Sequence, residues 1–157
     1  MKAWILYGLI LSATLFAPVK KADVAQLRPI EVIYIYKDAD AVVLKTDTED
    51  VGIGTDVETA LQDMKLTSPA RIYLDTAEYL LIGEGAQEDA MQLKGILKNS
   101  VQLCAAGAEL ELKEVAKYLP VHSNLPDFQD WEAGEKLPVL TIQNDRIKIS
   151  KKDEKSA

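Results

Sequence analysis

A chain of 157 residues, 48% of them hydrophobic, fits one domain whose core is large enough to fold without metal or disulfide support. Its net charge of −7 repels the phosphate backbone of a nucleic acid and disfavours contact of the folded part with anionic lipid headgroups. The single cysteine, Cys104, excludes an internal disulfide, and no Cys/His group has zinc spacing.

In chain order, Met1 and Lys2 precede an uncharged apolar run over residues 3–19, which ends at Lys20 and Lys21. This is the layout of a secretory signal, and the run also approaches the length of a spanning helix. Residues 1–22 are therefore expected to be a cleaved signal peptide or a membrane anchor, with a buried core helix as the third reading. Pro18 directly after Ala17 makes a poor cleavage site. The expected location is extracytoplasmic, either on the outer face of a membrane or secreted, with membrane contact confined to this segment.

Residues 23–29 read as a polar connector. The run I-E-V-I-Y-I-Y, residues 30–36, is rich in β-branched and aromatic side chains and predicts a strand. Turn residues at 37–40 and a second apolar run at 41–46 make a hairpin. The acidic stretch D-T-E-D-V-G-I-G-T-D-V-E follows. It places Asp47, Glu49, Gly52 and Glu58 at the first, third, sixth and twelfth positions of a calcium-type loop, but Val51 occupies a ligand position and a strand precedes it. The alternative is an ordinary acidic loop leading into a helix. Thr55 and Glu58 match a capping box, and Val57, Ala60, Leu61 and Met64 recur on one helical face.

The stretch R-I-Y-L-D-T-A-E-Y-L-L-I-G-E, residues 71–84, holds two apolar bursts separated by Asp75 and Thr76. Residues 79–82 show no polar alternation, as expected of an interior strand buried on both faces, so Leu80, Leu81 and Ile82 are read as structural. A helix is predicted over 87–98, with Glu88 and Asp89 in its first turn, Lys98 in its last, and Ala90, Leu93 and Leu97 as its apolar stripe. A short strand at 101–105 precedes a third helix bearing Leu112, Val115, Ala116 and Leu119, which Pro120 stops. Residues 138–143 and 146–149 predict a hairpin across Asn144 and Asp145, and 150–157 a solvated tail. Together these elements describe a single α/β domain over residues 30–149, with a mixed sheet and about three helices; α+β is the alternative.

Tests for chemistry return little. Cys104 with His122 and Asp127 could form a nucleophile, base and acid set, the basis of an alternative reading as an exported hydrolase. A lone cysteine in an apolar strand is more simply a small buried hydrophobe. Asp75 with Glu78, and Glu84 with Glu88, are carboxylate pairs by spacing alone. The glycines form no phosphate-binding pattern. No catalytic, cofactor or metal residue is assigned, and no cofactor is expected. The segment 121–137 is long for a connector and carries Phe128 and Trp131 among acids. These rings are either candidate contacts for a basic protein partner or a lid over the domain's own core.

Three pieces, I-E-V-I-Y-I-Y-K-D, the run from V-E-T-A-L-Q-D-M through Y-L-L-I-G-E, and L-K-N-S-V-Q-L-C-A-A-G-A-E-L-E-L-K-E-V, share an order of elements with a known family. Over residues 30–119 the chain resembles the N-terminal domain of the Ger(x)C family, the lipoprotein C subunits of spore germinant receptors. The resemblance implies a non-catalytic, membrane-associated protein of a spore-forming bacterium, acting in germination through protein partners such as integral membrane subunits. It carries over no catalytic residue. Lipid attachment is not implied either, because no lipobox cysteine follows the apolar N-terminus. Limited proteolysis is expected to trim both ends and leave residues 30–149 as one resistant core; cleavage into two stable halves would contradict the single domain.

Overall fold

The computed structural model describes residues 27–107, 110–121, 125–132, 135–143 and 146–150. The expected signal or anchor at 1–22, the start of the connector and tail residues 151–157 lie outside them, as does the Asn144-Asp145 turn. Among the described residues no helix is long and apolar enough to cross a membrane.

The chain forms β1 (Leu27–Pro29), β2 (Val32–Asp38), β3 (Ala41–Thr46), β4 (Val51–Gly54), α1 (Val57–Thr67), β5 (Arg71–Tyr73) and β6 (Tyr79–Ile82). It continues with α2 (Gln87–Gln92), β7 (Gln102–Ala106), α3 (Leu112–Tyr118), β8 (Val139–Gln143) and β9 (Arg146–Ser150). Seven strands make one mixed sheet in the order β4-β3-β2-β6-β7-β8-β9, and β1 pairs with β5 apart from it. Neighbours from β2 through β6 and β7 to β8 run parallel, while β3, β4 and β9 add antiparallel margins. This is a single mixed α/β fold, the class the alternating elements predict.

Strand periodicity sorts the core into two layers. Ile33, Ile35, Val42, Leu44, Leu80, Ile82 and Leu103 face the side covered by α1 and α2. Val32, Tyr34, Tyr79, Leu81 and Cys104 face the side covered by α3. Strand β6 sits between parallel neighbours with all four side chains buried, so its unbroken apolar run has the cause the sequence suggested. The polar break before it is a 3-10 turn, Leu74–Thr76. There the Thr76 hydroxyl accepts from the Ile30 amide at 2.9 Å and ties the turn to the entry of β2.

Four local expectations are corrected. The capping box of α1 lies one residue further on: Asp56 is the extended N-cap, its carboxylate accepts from the Thr59 amide at 2.8 Å, and Thr59 Oγ1 accepts from the Asp56 amide at 3.2 Å. The helix expected over 87–98 is α-helical only through Gln92 and tightens to a 3-10 turn at Leu93–Gly95. It starts at Ala86, which has no side chain to cap it, and ends at a glycine of low helical propensity. Its stripe is nonetheless as read, with Ala90, Leu93 and Leu97 buried. Residues 27–29, read as connector, pair in parallel with Arg71–Tyr73.

The fourth correction is β4, which falls in the stretch read as an acidic loop. Its glycines disguise it, and α1 explains them. A Cβ on Gly52 would run into the Ala60 carbonyl oxygen and meet Met64 Cβ at 2.6 Å; one on Gly54 would run into Thr59 Oγ1. The strand lies so close under the helix that only glycine fits on that side. Two substitutions probe these layers in urea unfolding. Leu81→Ala, which empties a fully buried site, is expected to cost roughly 2 to 5 kcal/mol. Gly52→Ala, which forces β4 away from α1, is expected to cost about 1 to 3 kcal/mol; a neutral Gly52→Ala would show that the helix is not held at this distance.

Candidate functional site

Cys104 lies in the middle of β7 with its side chain under α3, 1% exposed, and its Sγ is 3.1 Å from the Pro138 carbonyl oxygen. Burial pushes the thiol up to about 12, against an ordinary value near 9. His122 lies outside the described residues. Asp127 bridges β7 at Gln102, and its Oδ1 accepts from the Gln129 and Asp130 amides at 3.0 and 3.1 Å, so this carboxylate organises its own turn.

The calcium-type spacing is pulled apart by the fold. Asp47 Oδ1 accepts from the Glu31 and Val32 amides at 3.1 and 3.2 Å, Glu49 pairs with Lys113 at 2.6 Å, Gly52 is in extended β4, and Glu58 is in the first turn of α1. Among the described residues no three His, Cys, Asp or Glu side chains converge. Asp75, Glu78, Glu84 and Glu88 are all exposed, the first in the 3-10 turn before β6 and the last in the first turn of α2.

Phe128 and Trp131 take the lid arrangement. They are 0% and 1% exposed, their ring centroids are 6.1 Å apart, and both pack in the core layer under α1 and α2. The Trp131 indole N–H reaches the Glu135 carbonyl oxygen at 3.5 Å, and Lys94 donates to the Trp131 carbonyl at 3.3 Å. The two rings read as candidate partner contacts are thus both buried, as apolar surface of this size is more stable inside.

Sequence reasoning did not single out Lys37 and Asp89. Lys37 Nζ and Asp89 Oδ2 are 2.9 Å apart, and this hydrogen-bonded charge raises the Lys37 ammonium above its usual value. The signal was available: Asp89 stands next to Ala90 and four residues before Leu93, on the inward side of α2, and it is buried. The pair joins the carboxyl end of β2 to α2, beside Gly83, whose backbone runs under Tyr36. After β6 the chain leaves for the α2 face and after β7 for the α3 face, so the carboxyl ends of these strands form a switch point where α/β sheets commonly hold ligands. Here the inward carboxylate is paired with Lys37, which makes the pair a clasp between β2 and α2.

Open grooves lie among the described residues. One of about 590 Å³ runs between α1 and the end of α2, over Val57, Leu61, Lys65, Gln92 and Ile96. A smaller one of about 260 Å³ lies between the β3–β4 turn and the start of α3, lined by Lys45, Val51, Leu110 and Lys113 among others. No family model, curated protein or solved structure matches this chain.

Trp131→Ala removes a buried ring and is expected to cost about 3 to 5 kcal/mol, lowering the melting temperature by several degrees in calorimetry. An unchanged melting temperature would return Trp131 to the surface.

Proposed function

We propose that this protein is a non-catalytic interaction module, exported or held at the membrane by residues 1–22, in the manner of the N-terminal domain of the Ger(x)C family. Its partners on this reading are integral membrane protein subunits at the outer face of a bacterial cytoplasmic membrane. The observation that carries the reading is the enclosure of Cys104, the nucleophile on which the competing hydrolase depends. Attack requires a thiolate. A thiol 1% exposed, roofed by α3 and raised to about 12 stays protonated and out of a substrate's reach at neutral pH.

Three measurements test this. Native protein at pH 7.5 is expected to resist a thiol reagent that labels it at once in denaturant. Because the folded thiol is raised, its contribution to stability is intact below about pH 9 and is lost as pH rises towards about 12, where the unfolded thiol ionises first. Burial also raises Tyr34 and Tyr79, so Cys104→Ala is expected to lessen the alkaline loss without abolishing it. Tagged full-length chain, cross-linked in its own cells, is expected to recover integral membrane subunits. Rapid native labelling, together with ester or peptide hydrolysis that Cys104→Ala eliminates, would overturn the reading in favour of the hydrolase.

A further inference from the structure

Strands β1 and β5 fix where the N-terminal segment meets the fold. Leu27 pairs with Arg71, Arg28 with Ile72 and Pro29 with Tyr73, in parallel. Strand β1 leads into β2 and β5 into β6, and the first residues of β2 and β6, Val32 and Tyr79, pair with each other. The two-stranded piece therefore sits at the amino end of the parallel strands. The last turn of α1 reaches the same end: Ser68 follows it, the Ser68 hydroxyl donates to the Ala70 carbonyl at 3.0 Å, and Arg71 opens β5. This end of α1 is tied to the outer side of β4. The Asp63 carboxylate accepts from the Ile53 amide at 2.9 Å, and the Thr67 hydroxyl donates to the Val51 carbonyl at 3.3 Å.

The surface at this corner differs from the chain as a whole. The buried stripe of α1 is Val57, Ala60, Leu61 and Met64, and Leu66 lies off it, 79% exposed. Ile96, which lines the same groove as Lys65, is 41% exposed. In a chain of net charge −7, residues 64–74 hold two cations, Lys65 and Arg71, and no acid. Both cations are exposed, and the Arg71 guanidinium lies over the Tyr73 ring at 5.3 Å. Glu31, Asp75 and Glu78 are exposed at the same end of the sheet, so the cationic surface is confined to the corner. A single exposed leucine carries no message by itself; its place beside the chain entry does.

We propose that this corner, the end of α1 with β5, lies against the bilayer that holds residues 1–22, with Leu66 among the lipid headgroups and Lys65 and Arg71 at their phosphates. The proposal rests on the reading of residues 1–22 as a retained anchor, and it adds contact by the folded part to contact by that segment. What commits the corner to lipid is the length of chain. From Ala22 to Leu27 there are five peptide steps, at most about 18 Å, whereas a domain of roughly 120 residues is about 35 Å across. Leu27 and its partner Arg71 therefore stay near the membrane surface. The turn at 38–41 does not, because the seven residues of β2 carry it about 23 Å further away. Leu66 supplies the inserted apolar group, and the long stems of Lys65 and Arg71 lie along apolar surface while their charged heads stay at the phosphate level. Turning only this corner to lipid keeps the acidic remainder of the domain off an anionic surface.

The test uses the full-length chain with Cys104→Ala, carrying either Leu66→Cys or Asp40→Cys labelled with the environment-sensitive dye nitrobenzoxadiazole. The protein is reconstituted into vesicles of phosphatidylcholine and phosphatidylglycerol, and flotation is measured first. The Leu66→Cys label is expected to emit at shorter wavelength than the Asp40→Cys label in the same vesicles. With nitroxide on the lipid headgroups, it is expected to lose most of its emission while the Asp40→Cys label keeps most of its own. Adding Lys65→Glu/Arg71→Glu is expected to undo the blue shift and leave flotation unchanged. A blue shift indifferent to that charge reversal would overturn the proposal. If the chain floats and the two labels behave alike, the corner is wrong and the anchor stands; if the chain does not float, the anchor reading fails and takes the proposal with it.

Discussion

The requirement that organises this molecule is that Tyr79–Ile82 be shielded on both sides at once. Leu80 and Ile82 need cover on one face of the sheet, Tyr79 and Leu81 on the other, and all four are buried. A strand with two dry faces must have strands on both flanks and helices above and below it. Strands β2 and β7 supply the flanks in parallel, α1 and α2 cover one face, and α3 the other. The Phe128 and Trp131 lid closes the first layer where the short α2 leaves it open, which is why a segment poor in regular structure holds two of the largest buried side chains.

Elements whose signal is local were legible. The hairpin of β2 and β3, the apolar face of α1, the two-sided burial of β6 and the hairpin of β8 and β9 follow from periodicity over a few residues. What was hidden depends on neighbours distant in the chain. Gly52 and Gly54 mimic a loop because their reason for being glycine is the backbone of α1 passing above them. Residues 27–29 are a strand only because Arg71–Tyr73 lies beside them. The ambiguity at Phe128 and Trp131 is of the same kind, since composition alone does not distinguish a ring that closes a core from one that grips a partner.

Chemistry was less legible than fold, for a physical reason. A carboxylate or thiol has no fixed role until its surroundings set its charge and its access. Spacing put Cys104, His122 and Asp127 in one hypothesis, yet the fold gives the thiol a roof of apolar side chains and turns the Asp127 carboxylate onto its own backbone. The charged contact at the carboxyl end of the sheet, Lys37 with Asp89, joins two elements whose sequences carry no mark of one another.

The two α1 side chains that hold the outer groups of β4 give the helix a second duty beyond covering the core. Asp63 and Thr67 stand on its last two turns, where helices fray first. A fluctuation too small to unfold the domain can therefore bare the amide of Ile53 and the carbonyl of Val51, next to an Ile53 side chain already 56% exposed. Cover of this edge of the sheet is then set by the local opening of one helical end, and sequence changes that strengthen that end would keep the β4 edge covered even where they leave global stability unchanged.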